Sequence, residues 1–472
     1  MVEKTDLKKI FIKTYGCQMN VYDSDRIADV MAPSGYVRTE QLELADMVVL
    51  NTCHIREKAS EKVYSELGRL ANLKEHKKLE GKDFVVALAG CVAQAEGEEV
   101  RRRAPCVDIV VGPQTYHRLP YMVAEASTAK NLVLDIEFPT ISKFDLMRSK
   151  LGSDNKDQSV SAYITVQEGC DRFCNFCVVP YTRGAEYSRP MVDILKEAKN
   201  LIDNGARELI LLGQNVNAYH GVDIDGTEVG LEILINNLSK LGDLIRIRYT
   251  TSHPKDMSEN LINAHGKIPQ LMPFLHLPVQ SGSDEILRLM NRQHTVKDYM
   301  KIIEKLRKVR EDIVFSSDFI VGYPGETDAD FRSTLKLIDS VKFGQAFSFK
   351  YSVRPGTPAA DLPNQIPEEL KKERLTELQD LIDKQQRNFN LNCVNLELPI
   401  LFERESNEGS QISGRTPYMQ WVNIPKNFEN IGDIYNVVIT EGYAKSLGGK
   451  IIKNKNKPTT NKEESRSQRV TL

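Results

Sequence analysis

Three cysteines fall within eight residues in the run Gly169-Cys170-Asp171-Arg172-Phe173-Cys174-Asn175-Phe176-Cys177. A structural zinc site closes on four ligands, and this loop offers no fourth cysteine or histidine. A cubane iron-sulfur cluster has four irons, so three thiolates hold it and leave one iron for a ligand that is not protein. Three further cysteines, Cys17, Cys53 and Cys91, each close a short apolar run, at 9–13, 47–50 and 84–88. If those runs are parallel strands joined by helices, their thiols arrive at one sheet edge, where open α/β sheets bind ligands. A second cluster can form there. Cys106 and Cys393 lack any such pattern and read as small buried residues.

The elements that must carry these thiols are legible as periodicities. From residue 8 to about 125, apolar runs alternate with helical patterns at 23–31 and 56–70, which predicts a small parallel α/β sheet. A polar stretch at 142–159 reads as a linker. Beyond it, strands are expected at 162–167, 208–212, 245–250, 274–279, 314–321 and 345–351, with helices at 192–202, 232–241, 296–309 and 331–341. Six β/α units make an incomplete parallel barrel with its chemistry at the C-terminal strand ends, and the 170–177 loop follows the first strand. Residues 367–390 read as a charged helix. Short strands at 397–402, 411–415, 419–423 and 433–440 predict a small β-barrel, and 453–472 is expected to be disordered.

Polar and glycine-rich groups follow the other barrel strands: Gly213-Gln214-Asn215, Ser252-His253, Gln280-Ser281-Gly282-Ser283 and Gly322-Tyr323-Pro324-Gly325-Glu326. Glycine lets a backbone approach a ligand, and Ser, Gln and Glu can bond its ribose, amino or carboxylate groups. His253, beside Pro254, reads as positional. Arg183, Arg189 and Arg354 are candidate RNA contacts, weighed against ion pairing with a nearby carboxylate such as Glu186. Arg101 to Arg103 reads as a solvated helix end.

Composition bounds the rest. The chain has 472 residues, 41% hydrophobic and 27% charged, as ordinary multidomain globular proteins do. A formal net charge of −2 supplies no overall attraction to nucleic acid, so any RNA binding rests on local basic patches. Residues 1–6 are polar, and no apolar run is long enough to span a membrane, so a cytoplasmic protein is expected. Eight cysteines in that setting point to metal ligation or redox chemistry rather than a disulfide scaffold.

The C-x3-C-x2-C spacing, with Phe176 just before the last cysteine, resembles the radical S-adenosylmethionine (SAM) superfamily. The order of a three-cysteine α/β domain (8–125), a radical-SAM barrel (156–390) and a TRAM-like barrel (391–455), before a tail at 456–472, resembles the methylthiotransferase family. The runs Thr14-Tyr15-Gly16-Cys17-Gln18-Met19-Asn20, Asn51-Thr52-Cys53-His54-Ile55-Arg56-Glu57-Lys58-Ala59 and Phe176-Cys177-Val178-Val179-Pro180-Tyr181-Thr182-Arg183-Gly184 are similar to its MiaB branch.

The resemblance implies a flavodoxin-like first domain, a partial (βα)6 barrel and an RNA-binding third module. It implies two 4Fe-4S clusters, on Cys170, Cys174 and Cys177 and on Cys17, Cys53 and Cys91. SAM would be held by residues among Phe176, Gln214, Asn215, Ser252, Gln280, Ser281, Gly282, Ser283, Gly322, Gly325 and Glu326. The implied reaction is methylthiolation of carbon 2 of N(6)-isopentenyladenosine beside the anticodon of tRNA. No side chain acts as conventional acid, base or nucleophile. An electron donor such as flavodoxin or ferredoxin and a sulfur source are implied partners, and a monomer is expected. Sister branches imply two alternatives, threonylcarbamoyl-adenosine or a ribosomal protein as substrate. A more distant reading is a non-catalytic RNA-binding iron-sulfur protein.

Overall fold

Runs of Val, Ile, Leu and Ala that are buried along nearly their whole length are interior strands of a sheet covered on both faces. In the computed structural model, which describes residues 7–53, 57–128, 132–147, 159–406, 409–427 and 429–452, β3 (Met47–Thr52) and β4 (Val85–Gly90) are such strands. With β1 (Lys8–Thr14), β2 (Tyr36–Arg38), β5 (Ile109–Val111) and β6 (Val133–Asp135) they form one parallel sheet, ordered β2-β1-β3-β4-β5-β6. This is the doubly wound order expected of a flavodoxin-like domain. Helix Gln18–Met31 buries Met19, Tyr22, Ile27, Val30 and Met31 on one face, and Val63, Leu67 and Leu70 pack on the other. The sheet runs on to β6, past the boundary expected at 125. A three-residue strand is too short to show a period.

The second module has six main strands, as expected. These are β7 (Ser161–Thr165), β10 (Glu208–Leu212), β13 (Arg246–Tyr249), β14 (Phe274–His276), β15 (Val314–Val321) and β16 (Gln345–Lys350). Minor ladders are added by β8 (Gln167–Glu168) with β9 (Tyr187–Ser188), and by β11 (His220–Val222) with β12 (Glu228–Gly230). The parallel halves β7-β10-β13 and β14-β15-β16 meet through an Ile247–Leu271 bridge. Side chains alternate across β10: Leu209 and Leu211 join the core under the barrel helices, while Ile210 and Leu212 share a core with Met19 and Tyr22 of the N-terminal module. Capping boxes, Thr295 with Asp298 and Thr327 with Asp330, start helices Val296–Val309 and Asp328–Val341.

The expected linker is more ordered at its start than its polarity suggests. Lys143–Met147 is a short helix with Lys143 fully buried, whereas 148–158 lie outside the described residues.

Helix Glu368–Asn392 leads toward the C-terminal module, and the chain beyond Gln386 is a compact unit of its own. Its barrel comprises β17 (Glu397–Glu405), β18 (Gln411–Arg415), β19 (Trp421–Pro425), β20 (Ile434–Gly442) and β21 (Ser446–Ile451), closed in the order β17-β18-β19-β21-β20 around Ile400, Phe402, Ile412, Val422 and Ile439. The sequence reading lacked β21, whose Gly448-Gly449 pair weakens the strand pattern. The tail expected to be disordered lies outside the described residues. Among those described, no helix is long and apolar enough to cross a membrane.

Candidate functional site

Cys17, Cys53 and Cys91 follow β1, β3 and β4, three adjacent parallel strands, so one sheet edge receives all three. Glycines make room for them. Gly16 has φ +130°, and a Cβ there would overlap the Cβ of Cys53; Gly90 has φ +90°, and a Cβ there would overlap the Thr52 carbonyl oxygen. Only glycine tolerates those conformations and approaches. Two buried amides lock the edge: Asn51 Nδ2 donates to the Asn20 carbonyl at 2.8 Å, and Asn20 Nδ2 donates to the Thr52 carbonyl at 3.1 Å. Cys17 is exposed as a residue although its thiol is enclosed by neighbouring groups, while Cys53 and Cys91 are buried. A hydrogen bond with Cys53 draws the Cys17 thiol down to about 6 against the opposing effect of burial, with help from the Arg183 charge. Burial raises Cys91, and Arg183 pulls against it.

The barrel trio occupies the loop after β8. Gly169 (φ +75°) lets that loop pass the Ala185 carbonyl, and Phe173 turns it at φ +46°. Gln167 and Gln214 tie it to the end of β10. The Gly169 amide donates to Gln214 Oε1 at 2.6 Å, Gln167 Nε2 donates to the Gly169 carbonyl at 2.6 Å, and Gln167 Oε1 accepts from the Gln214 and Asn215 amides. Arg172 pairs with Asp256, whose Oδ2 also accepts from Asn215 Nδ2 at 2.8 Å. Arg292 Nη1 donates to the buried Cys174 sulfur at 3.5 Å. Burial pushes Cys170 up to about 11 and Cys177 up to about 12, so metal loading there must displace protons.

Among the described residues no three of His, Cys, Asp or Glu stand close enough to share one metal ion. A cubane binds its ligands at separate iron corners and spreads them further, so two open trios suit clusters better than zinc. Beside the barrel trio, Asn215 Oδ1, Ser252 Oγ and His253 Nε2 are buried without a protein partner. Such orphaned atoms fit a polar ligand. His253 Nδ1 accepts from the Lys255 amide, a capping role that matches its positional reading.

Several of the expected ligand contacts also brace the fold. Ser281 Oγ lies 3.4 Å from Thr334 Oγ1, and the Gly282 amide donates to the same hydroxyl at 2.9 Å. A Cβ on Gly282 would stand 2.5 Å from Thr334 Cα, so its glycine serves helix packing. Ser283 caps helix Asp284–Leu289 and donates to Asp330 at 2.5 Å. Glu326 is buried against Arg374 at 2.8 Å and accepts from the Gly322 amide, and a Cβ on Gly322 would overlap Lys371. Gly325, at φ +85°, forms the turn. Phe176 packs against Ile286, Met290, Tyr323 and Tyr351. Gln280 (φ +78°) bridges to Phe319 and is half-buried, as is Arg354.

Three family models match in succession: one described as uncharacterized protein family UPF0004 over 9–112, the radical SAM superfamily over 164–338 and the TRAM domain over 392–452. A protein named tRNA-2-methylthio-N(6)-dimethylallyladenosine synthase, from Maricaulis maris (strain MCS10), is 55% identical over 451 residues, covering 95% of this chain and 98% of that one. The chain belongs to this synthase family. Two solved structures share the fold: the radical SAM methyltransferase TsrM from Kitasatospora setae (TM-score 0.52, 12% identity, 75% of this chain and 77% of that one) and the cobalamin-dependent SAM radical enzyme OxsB (0.50, 13%, 80% and 56%). Membership in the radical SAM superfamily brings a 4Fe-4S cluster and SAM to the synthase family.

In this synthase family member, Arg183 and Arg189 do not present charge to solvent, which corrects their reading as phosphate contacts. Arg183 is 3% exposed, with Nη2 donating to Asp23 at 2.7 Å and Nη1 to Glu168 at 2.5 Å. Arg189 is 1% exposed, donating to Glu197 at 2.7 Å and to the Thr165 carbonyl at 2.6 Å. Lys143 completes the first group, 2.8 Å from Glu168 and 3.5 Å from Asp23. Asp23, Glu168, Lys143 and Arg292 were all missed from sequence. Only Glu168, two residues before Cys170, carried a signal, a charge beside a cysteine loop; Lys143 and Arg292 lie far from any cysteine in sequence. Arg101 to Arg103 are exposed, with Arg102 pairing to Glu99 and Arg103 to Glu96.

Proposed function

We propose that this enzyme methylthiolates carbon 2 of N(6)-dimethylallyladenosine, the isopentenylated base beside the anticodon of tRNA, using SAM and two 4Fe-4S clusters. Cys170, Cys174 and Cys177 hold one cluster, and Cys17, Cys53 and Cys91 hold the other. The substrate follows the name of the 55%-identical relative. The observation that carries the second cluster is the convergence of Cys17, Cys53 and Cys91 on one sheet edge, with Gly16 and Gly90 cut back to admit them. When bound, these groups supply one-electron chemistry strong enough to break an unactivated C-H bond and a place to carry sulfur.

The chain's own residues bind, orient and shield. Gln167 and Gln214 fix the barrel loop, and Arg292 places an N-H against Cys174. Asn215, Ser252 and Gln280 are the SAM contacts kept from the sequence, the first two for their orphaned oxygens. An apolar wall suits the five-carbon substituent of the base. Phe347 and Phe349 pair with Asp318 and Ile320, on the strand faces opposite Phe319 and Val321 of the helix-packed core, and stay 41% and 40% exposed. Arg354 and the TRAM barrel are the proposed RNA contacts. An electron donor such as flavodoxin or ferredoxin and a sulfur source complete the cycle in the cytoplasm.

The test is anaerobic reconstitution, then incubation with SAM, reductant and isopentenylated tRNA, read by nucleoside mass spectrometry. The methylthio derivative of the isopentenyl base is expected. Product only on threonylcarbamoyl-adenosine or on a ribosomal protein would overturn the substrate, and absence of 5'-deoxyadenosine would overturn the enzymology.

A further inference from the structure

Arg183 ties together the two stretches of chain that carry the cysteine trios. It follows Cys177 by six residues, and its two carboxylate partners belong one to each trio: Asp23 follows Cys17 by six, and Glu168 precedes Cys170 by two. All three side chains are at most 3% exposed. Gln114 Nε2, from the N-terminal module, donates to the Arg183 carbonyl at 2.7 Å, so backbone and side chain are both anchored across the junction. Lys143 brings the group to two cations and two anions, with no net charge. Replacing such a network by apolar residues would often cost nothing in stability, so what this network adds is fixed geometry rather than stability. The helix that begins at Cys91, Cys91–Glu96, packs against Val179–Thr182, the turn that ends at Arg183, which sets the guanidinium on the side of the N-terminal trio.

We infer that Arg183 is a positioning residue: a forked strut between Asp23 and Glu168 that sets the separation of the two trios and holds a fixed positive charge against the N-terminal one. A planar fork can bond two carboxylates at once, whereas an ammonium offers only a point charge. This inference rests on the two-cluster reading.

The test uses the full chain with both clusters reconstituted anaerobically, as wild type, Arg183→Gln, Arg183→Lys and Asp23→Asn. Iron and sulfide content, the two cluster midpoint potentials from redox titrations followed by electron paramagnetic resonance, and the ratio of 5'-deoxyadenosine to methylthio product are measured. Loss of the cation makes the N-terminal cluster harder to reduce, so Arg183→Gln shifts its potential to more negative values. Loss of the anion in Asp23→Asn shifts it the opposite way. The barrel cluster moves less in both. Arg183→Lys keeps the potential near wild type but loses the fork, so futile SAM cleavage per product rises roughly ten- to a hundredfold, as for a misplaced reactant. A merely structural role lowers thermal stability without moving the N-terminal potential in opposite directions in Arg183→Gln and Asp23→Asn. Full cluster content with unmoved potentials and ratio overturns the inference alone. A wild type that holds a single cluster overturns the two-cluster reading and this inference with it. Should Arg183→Gln fail to fold, the shift in Asp23→Asn decides.

Discussion

Arg183 Nη2 lies 2.7 Å from Asp23 Oδ2, and neither side chain is more than 3% exposed. The pair joins the exit of the barrel cysteine loop to the helix that starts after Cys17, so the two candidate cluster sites share one rigid junction. Reaction at an unactivated carbon needs the hydrogen-removing group and the sulfur-carrying group on the same base, and a fixed junction meets that need.

Removing one barrel thiol separates the two sites. Cys174→Ala should abolish SAM cleavage while the N-terminal cluster stays. Iron content and 5'-deoxyadenosine yield check this, and normal SAM cleavage would contradict it.

Cys53→Ala should give the complementary result. Methylthio product disappears while SAM cleavage persists. Full product from this variant would remove Cys53 from the site.

Gly90 tests the convergence itself. Gly90→Ala places a methyl group against the Thr52 carbonyl at φ +90°, so the sheet edge must open. Iron bound to the N-terminal site should fall with barrel iron unchanged; unaltered content at both sites would show that the close approach is dispensable.

Arg189→Leu tests a correction drawn from burial. Leaving Glu197 without its nearest cation should cost about 3–5 kcal/mol in denaturant unfolding. The salt dependence of tRNA binding should keep its slope, whereas a lost phosphate contact would lower it by about one.

Phe347 and Phe349 test substrate fit. Truncating both to alanine removes apolar surface worth about 1.5–3 kcal/mol each, so KM for isopentenylated RNA should rise at least about tenfold. SAM cleavage without RNA should be unchanged. An unaltered KM would place the base elsewhere.

The cysteines were legible because their information is local: one trio is a short loop, and the other follows three apolar runs whose parallel pairing is forced by intervening helices. Strands β10 (Glu208–Leu212) and β15 (Val314–Val321) and the helix Val296–Val309 were legible to the residue, the strands as short apolar-rich runs and the helix by its period and its Thr295 cap. Partnership was not. Arg183 looked like a surface cation because Asp23 lies 160 residues away, and Lys143 looked like linker because polarity alone does not show a neutralising neighbour. Ser281, Gly282 and Ser283 looked like a ligand loop, yet Thr334 and Asp330, on a helix about 50 residues later, take up their polar groups.

Iron and sulfide analysis with Mössbauer spectroscopy on the anaerobically reconstituted chain decides whether it holds two clusters. Two cubanes, about eight irons per chain, are predicted, falling to about four in a Cys17, Cys53 and Cys91 triple alanine variant. Four irons in the wild type, unchanged in that variant, would contradict the account.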